Sequence, residues 1–96
     1  MAVYSLSAKA AADLSQIHEY TILNFGLEQA RDYLTGLHDR FESLAENPMQ
    51  GRSASELSPG LRRLEYESHA VFYVPKANGI RIVRVLHQNM DMKRHL

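Results

Sequence analysis

The chain of 96 residues contains no cysteine and no tryptophan, and it has only three prolines. Without cysteine, neither a disulfide framework nor a thiolate zinc site can form, which excludes a small secreted protein held together by bridges. The sequence also lacks an apolar run of about 18 residues and the basic and apolar regions of a signal peptide. We therefore expect an untargeted cytoplasmic protein that does not associate with a membrane.

The composition is that of a globular protein, with 45% hydrophobic and 23% charged residues. Such a balance lies far from that of disordered chains, and the length suits one domain over residues 1–96. The formal net charge is zero, yet residues 1–48 carry −4 and residues 49–96 carry +4. This asymmetry predicts a basic surface on the second half that can meet an acidic partner.

The first half of the chain has the pattern of a strand followed by two helices. Alternation predicts a strand over Ala2–Leu6, after which Ser7 can cap a helix over Ala8–Phe25. One face of this helix is expected to be buried, because its residues recur at spacings of three and four: Ala10, Leu14, Ile17, Thr21 and Phe25. Gly26 ends it, and a second periodic run extends from Ala30 to the Asn47-Pro48 pair, where proline terminates it.

The second half begins with a loop, Asn47–Gly60, which is rich in glycine, serine and proline. Three runs rich in Val, Ile, Tyr and Phe follow, and we interpret them as strands: Leu61–Glu67, His69–Val74 and Ile80–His87. Turns at Ser68 and at Pro75–Gly79 are short enough to make neighbouring strands antiparallel. The prediction is an α+β fold in the order β-α-α-β-β-β, with an antiparallel helical hairpin packed on a small antiparallel sheet.

Most patterns of catalytic or ligand-binding residues are missing. The five histidines show no i,i+4 pair, and no glycine-rich loop is followed by Gly-Lys-Ser or Gly-Lys-Thr. The serines of the central loop lack a nucleophile motif: Ser53, Ser55 and Ser58. We therefore predict no metal, no cofactor and no catalytic residue.

RNA cleavage is the enzymatic alternative that the residues leave open. It requires two proton-transferring groups, with cations to stabilise the charge that develops on the phosphate. His87 with Tyr66 or Tyr73 can supply the proton transfers, and five arginines the charge: Arg52, Arg62, Arg63, Arg81 and Arg84. The simpler interpretation is that Arg62 and Arg63 lie on opposite faces of one strand and serve solubility or partner contact.

Nearly from end to end, the chain carries an ordered series of motifs that resembles the ParE family of toxins. The most specific are the P-x-x-G-R of Pro48, Gly51 and Arg52, the P-G-L-R-R of Pro59–Arg63, and the closing R-V-L-H-Q-N-M-D-M-K-R-H-L of Arg84–Leu96. The resemblance implies the fold that ParE and RelE toxins share. It also implies a type II toxin-antitoxin system in which a ParD-type antitoxin wraps the toxin and DNA gyrase is the target.

The related RelE branch cleaves mRNA on the ribosome, using basic residues with a tyrosine or histidine near the C-terminus. This chain departs from that branch because it has no terminal tyrosine, although His87 falls near the position where nuclease members place catalytic groups. We therefore expect a gyrase inhibitor that acts by binding, with a ribosome-dependent mRNA interferase as the alternative. A toxin that has lost its activity is a third possibility.

Two sets of residues are candidates for these contacts. For the antitoxin, the charge asymmetry favours Arg52, Arg62, Arg63, Arg81 and Arg84. For the target, we favour the basic, methionine-bearing tail of Met90, Asp91, Met92, Lys93, Arg94 and His95. His87 is expected to be structural or a contact residue, and sequence-specific DNA binding is assigned to the antitoxin, not to this chain.

Overall fold

A computed structural model describes residues 2–96 of the chain. The elements follow in the order β1 Val3–Leu6, α1 Ala8–Phe25, α2 Leu27–Glu46, β2 Arg52–Ser53, β3 Arg62–Tyr66, β4 His69–Lys76, β5 Gly79–His87 and α3 Met92–His95. This is the expected α+β arrangement, with two further short elements, β2 and α3. Within residues 2–96, no helix is both long enough and apolar enough to cross a membrane.

The helical hairpin begins and ends where its capping residues predict. The Ser7 hydroxyl accepts a hydrogen bond from the Ala10 amide at 2.9 Å, which caps α1. Gly26 separates the helices with a φ of 96°, a left-handed conformation that favours glycine. The second helix ends at Glu46, and Asn47, directly before Pro48, is its C-cap.

The five strands form one sheet in the order β1-β5-β4-β3-β2. The neighbours among β2, β3, β4 and β5 are antiparallel, whereas β1 pairs with β5 in parallel over Val3–Leu6 and Gly79–Ile82. The sheet is therefore mixed and not purely antiparallel as expected. Short turns make consecutive strands antiparallel. The helical hairpin separates β1 from the other strands, and so long a connection does not determine whether β1 runs parallel or antiparallel to its neighbour.

The main core lies between the hairpin and one face of the sheet. Leu37, Phe41 and Leu44 of α2 pack there with Val71 and Tyr73 of β4. The expected strand face of Ala2, Tyr4 and Leu6 packs on the same core. Phe25 is an exception, because its side chain is 58% exposed in the last turn of α1, at the rim of a cavity, and the prediction that it is buried was wrong.

A second, smaller core covers the opposite face of the sheet. It contains Phe72 of β4 and Leu86 of β5, with Ala54 and Leu61 from the loop between α2 and β3, and Met92 of α3 packs against it. Adjacent residues on a strand therefore face different cores, as alternation requires. The C-terminal tail folds back onto this face of the sheet through Met92.

The turn between β4 and β5 is shorter than Pro75–Gly79. Pro75 and Lys76 still pair with β5, and Gly79 already belongs to that strand. Gly79 has a φ of 142°, and a Cβ atom there would lie 1.7 Å from the carbonyl oxygen of Val3. Only glycine lets β1 approach β5 so closely.

Candidate functional site

The two internal motifs meet at the hydroxyl of Tyr73. This buried hydroxyl donates a hydrogen bond to the Pro48 carbonyl oxygen at 2.6 Å and accepts one from the Gly51 amide at 2.9 Å. The Gly51 carbonyl in turn accepts a hydrogen bond from Arg62. A Cβ atom on Gly51 would lie 2.5 Å from the Tyr73 hydroxyl oxygen. The P-x-x-G-R and P-G-L-R-R motifs thus fold the loop after α2 onto the sheet.

Arg62 and Arg63 lie on opposite faces of β3, as alternation predicts. Arg62 is directed to Gly51, whereas the Nε atom of Arg63 contacts the Glu65 carboxylate at 2.5 Å. The Arg63 guanidinium also lies over the ring of Phe72, with 5.3 Å from its Cζ atom to the ring centroid. Both guanidinium groups are therefore held by contacts within the chain.

Arg52 and Arg81 are the exposed members of the five-arginine set. The Arg52 side chain is 69% exposed on β2, at the edge of the sheet, and lies 3.4 Å from the Glu65 carboxylate. Arg81 lies on β5 and makes only a long contact of 3.5 Å with the Ser5 hydroxyl. These two side chains have the freest guanidinium groups for a partner.

Arg84 has a mainly internal role. Its Nε and Nη2 atoms donate to the two carboxylate oxygens of Asp13 on α1, each at 2.8 Å. Its Nη1 atom donates to the carbonyl oxygen of His95 at 2.8 Å, which ties α3 to the same pair. The hydrogen bonds with Asp13 raise the pKa of Arg84. Arg84 therefore joins α1, β5 and α3, with its side chain only 15% exposed.

The tail divides into an anchor and an exposed set of charges. Asp91 caps α3 by accepting a hydrogen bond from the Lys93 amide at 3.2 Å, and Met92 packs on the second core. The remaining tail residues are exposed: Met90, Asp91, Lys93, Arg94 and His95. To the basic, methionine-bearing tail expected from the sequence, the structure adds a short helix and the packing of Met92 on the second core.

His87 belongs to a row of aromatic rings at one end of the sheet. Its ring lies edge-on to His69, with 5.4 Å between centroids, and Nδ1 of His69 lies 2.6 Å from the Tyr33 hydroxyl. Burial lowers the pKa of His69, and the neighbouring His87 lowers it further. Burial also raises the pKa of Tyr33. Both shifts favour the uncharged forms of His69 and Tyr33, which suits packing between α2 and the sheet.

Two of the groups considered for RNA cleavage make contacts within the chain. Tyr73 is enclosed by Pro48 and Gly51, and the Arg84 guanidinium is neutralised by Asp13. Among residues 2–96, no three His, Asp or Glu side chains come together as metal ligands.

Sequence reasoning missed Asp13, although a signal for it exists. Asp13 lies three residues after Ala10 and four before Ile17, so it shares the buried face of α1. A carboxylate at such a position requires a buried cation, and Arg84 supplies it.

Comparisons with known proteins agree with this structure. Residues 4–92 match the family model described as "ParE toxin of type II toxin-antitoxin system, parDE". "Toxin ParE1" of Mycobacterium tuberculosis is 43% identical over 94 residues, which cover 97% of this chain and 96% of that protein. "Toxin ParE1" of Caulobacter vibrioides is 43% identical over 98 residues and covers 100% and 99% of the two chains. "Toxin ParE" of Escherichia coli is 37% identical, covering 100% and 94%.

A solved structure supports the same assignment. One chain of the "Chromosomal ParDE TA system from P. aeruginosa" superposes with a TM-score of 0.76 at 26% identity, covering 91% of this chain and 96% of that one. The match thus extends over most of both chains. This chain belongs to the ParE toxin family of type II toxin-antitoxin systems.

Proposed function

We propose that this toxin inhibits DNA gyrase by binding it, without covalent chemistry of its own, and that a ParD-type antitoxin neutralises it. The proposal includes no cofactor and no sequence-specific DNA contact by this chain, and it places the toxin in the bacterial cytoplasm. Family membership supports the toxin role, whereas the target and the mode of action are inferred.

The observation that favours binding over RNA cleavage is that most of the candidate arginines are already paired within the chain. Arg84 is paired with Asp13 at 2.8 Å, Arg63 with Glu65 at 2.5 Å, and Arg62 with the Gly51 carbonyl. A phosphate-cleaving centre needs free cations beside its proton-transferring groups. The two arginines on β3 and Arg84 on β5 instead stabilise the fold, which favours binding over catalysis.

The antitoxin part of the proposal is supported by a relative and by the sheet edges. The structural relative comes from a ParDE system, in which toxin and antitoxin are named together. β1 and β2 are the two edge strands, and an exposed edge can accept an added strand. Arg52 and Arg81 supply exposed positive charge for acidic antitoxin residues, and their contribution increases the association rate more than the affinity.

The target part rests on the tail. Lys93, Arg94 and His95 project from α3 as three neighbouring basic side chains, while Met92 holds the helix against the second core. A short helix fixed in this way presents its charges at a defined place. We propose that Met90, Asp91, Lys93, Arg94 and His95 contact gyrase, with Met92 positioning them.

Two assays with purified toxin test the proposal. A supercoiling assay with gyrase should show inhibition that is relieved by a stoichiometric ParD-type antitoxin. A translation assay with message mapping should show no ribosome-dependent cuts. Message cleavage without a gyrase effect would assign the chain to the interferase alternative, and the absence of both activities would indicate a toxin that has lost its activity.

A further inference from the structure

A cavity of about 480 Å³ opens between the tip of the helical hairpin and the turn that joins β3 to β4. We call it the hairpin cavity. Its aromatic walls are Tyr20 and Phe25 of α1, Tyr33 of α2 and Tyr66 of β3. The rings of Tyr33 and Tyr66 pack edge to face with 5.3 Å between centroids. The cavity therefore presents several ring surfaces, the kind of wall that attracts a cation.

The charged residues that line the hairpin cavity are all acidic. Asp32 lies on α2 and Glu67 in the turn, both exposed, and no lysine or arginine is among the lining residues. His69 also lines the cavity, and its pKa is lowered by burial and by His87, so it adds no positive charge near neutral pH. The cavity thus combines aromatic walls with two carboxylates, and this charge is opposite to that of the exposed arginines.

Glu67 is held in an unusual backbone conformation. Its φ of 52° is the only positive φ at a residue other than glycine within residues 2–96. A left-handed backbone is energetically costly at a residue that carries a Cβ atom. Glycine at this turn would avoid that cost but would lose the carboxylate at the rim of the cavity.

One aromatic wall already binds a guanidinium. The Cζ atom of Arg40 lies 5.8 Å from the ring centroid of Tyr66, a distance typical of a cation–π contact. Beside the cavity, the hairpin tip exposes large apolar side chains that no part of the described chain covers. Leu23 is 78% exposed, and Phe25 and Leu27 are each 58% exposed. An occupant of the cavity would therefore lie next to an apolar surface.

We propose that the hairpin cavity binds the guanidinium of an arginine that a partner polypeptide presents on an apolar segment. The guanidinium lies between the rings of Tyr20 and Tyr33 and is neutralised by Asp32 and Glu67, while apolar neighbours of the arginine cover Leu23 and Leu27. Arginine suits the site better than lysine, because its flat guanidinium stacks on aromatic rings and can bind a carboxylate at two points. The site does not depend on which target the toxin inhibits.

A peptide titration tests the site directly. The probe is a blocked peptide with one arginine flanked by leucines, and the control peptide carries citrulline, which has the same shape without the charge. Binding to the intact toxin is followed by the NMR signals of the tyrosine rings. The arginine peptide should shift the signals of Tyr20, Tyr33 and Tyr66 in a saturable way. Its affinity should be at least about fivefold higher than that of the citrulline peptide.

Substitutions of the two carboxylates test whether they bind the charge of the arginine peptide. Asp32→Asn combined with Glu67→Gln should weaken the arginine peptide about fivefold and leave the citrulline peptide unchanged, since only charge is removed at exposed positions. Glu56→Gln, an equally exposed change in the loop after β2, should alter neither titration. Equal affinity for the two peptides, or shifts that leave the three tyrosine rings unaffected, would overturn the proposal.

Discussion

The carboxylate of Asp13 is bound at two points by the guanidinium of Arg84, 71 positions later in the chain, and also accepts the Val85 amide at 3.0 Å. This part of β5 has no strand neighbour on that side, because β1 pairs only with Gly79–Ile82. The Ser7 amide and hydroxyl bind the carbonyls of Ile82 and Val83 along the same edge. The start of α1 therefore takes the place of a neighbouring strand.

Replacement of Asp13 by alanine should be strongly destabilising. The change leaves a largely buried guanidinium without its counterion and the Val85 amide without an acceptor. We expect a loss of about 3 kcal/mol in the free energy of unfolding, measured by urea denaturation. Glu42→Ala is the control, because that carboxylate is 63% exposed and pairs only with His38, and it should cost less than about 1 kcal/mol. Equal losses in the two variants would contradict the structural role of the pair.

Tyr73→Phe should cost about 2 kcal/mol, because it removes one hydroxyl and leaves both the Gly51 amide and the Pro48 carbonyl without a partner. The loop after α2 should also exchange its amide protons faster, which hydrogen-exchange NMR measures. Tyr20→Phe removes the same atom from a side chain that is 62% exposed and should change stability by less than about 0.5 kcal/mol. If both variants behave alike, the hydroxyl does not hold the loop.

His69 should make the toxin less stable in mild acid. Burial and the neighbouring His87 lower its pKa in the folded chain below 6.5, against a smaller opposing effect of Asp13. As the pH falls through 6.5 the unfolded chain therefore takes up a proton before the folded one, and the free energy of unfolding decreases. The stabilising difference is fully present above that pH.

The pH dependence is measured by urea denaturation between pH 7.5 and about pH 5, where histidine titrates. In His69→Gln, the slope of stability against pH should be smaller than in the wild type. His18→Gln changes an exposed histidine on α1 and should keep the wild-type slope. A slope in His69→Gln that equals the wild-type slope would show that other groups cause the acid sensitivity.

Reversal of charge at Arg52 and Arg81 should slow the association with a ParD-type antitoxin. We expect the double change to glutamate to lower the association rate about tenfold at low salt, and less at high salt, because salt screens exposed charges. Arg31→Glu is the control, since it alters an exposed arginine on α2, outside the proposed surface. Stopped-flow mixing at several salt concentrations measures the rates, and equal rates for toxin and double variant at every salt would refute the assignment.

Lys93→Glu combined with Arg94→Glu should weaken gyrase inhibition by about tenfold in toxin concentration, with unchanged thermal stability, because both side chains are exposed. Deletion of residues 89–96 is a poorer test, since it also removes Met92 from the second core and the His95 carbonyl from Arg84. Lys76→Glu, in β4 beside the β4–β5 turn, is the matched control. Full inhibition by the double variant would exclude the two basic side chains as target contacts.

Local signals in the sequence were sufficient for most of the elements. Ser7, Gly26 and the Asn47-Pro48 pair mark the ends of the two helices, and strand alternation correctly places Arg62 and Arg63 on opposite faces of β3. These features depend on neighbours within a few residues, such as a capping hydroxyl or the period of a strand. The family resemblance, which rests on ordered short motifs, was confirmed by the family model and the relatives.

The fold class, the family and the hairpin boundaries could therefore be predicted from the sequence, because short-range chemistry encodes them. Which arginines are free depends instead on contacts that form in the folded chain. Arg84 is bound by Asp13 and Arg62 by Gly51, whereas Arg52 and Arg81 remain exposed, although all four look alike in the sequence. The parallel direction of β1, the second core beneath Met92 and the hairpin cavity likewise arise from residues far apart in the chain. Long-range packing creates such contacts, and the local spacing of residues in the sequence does not predict them.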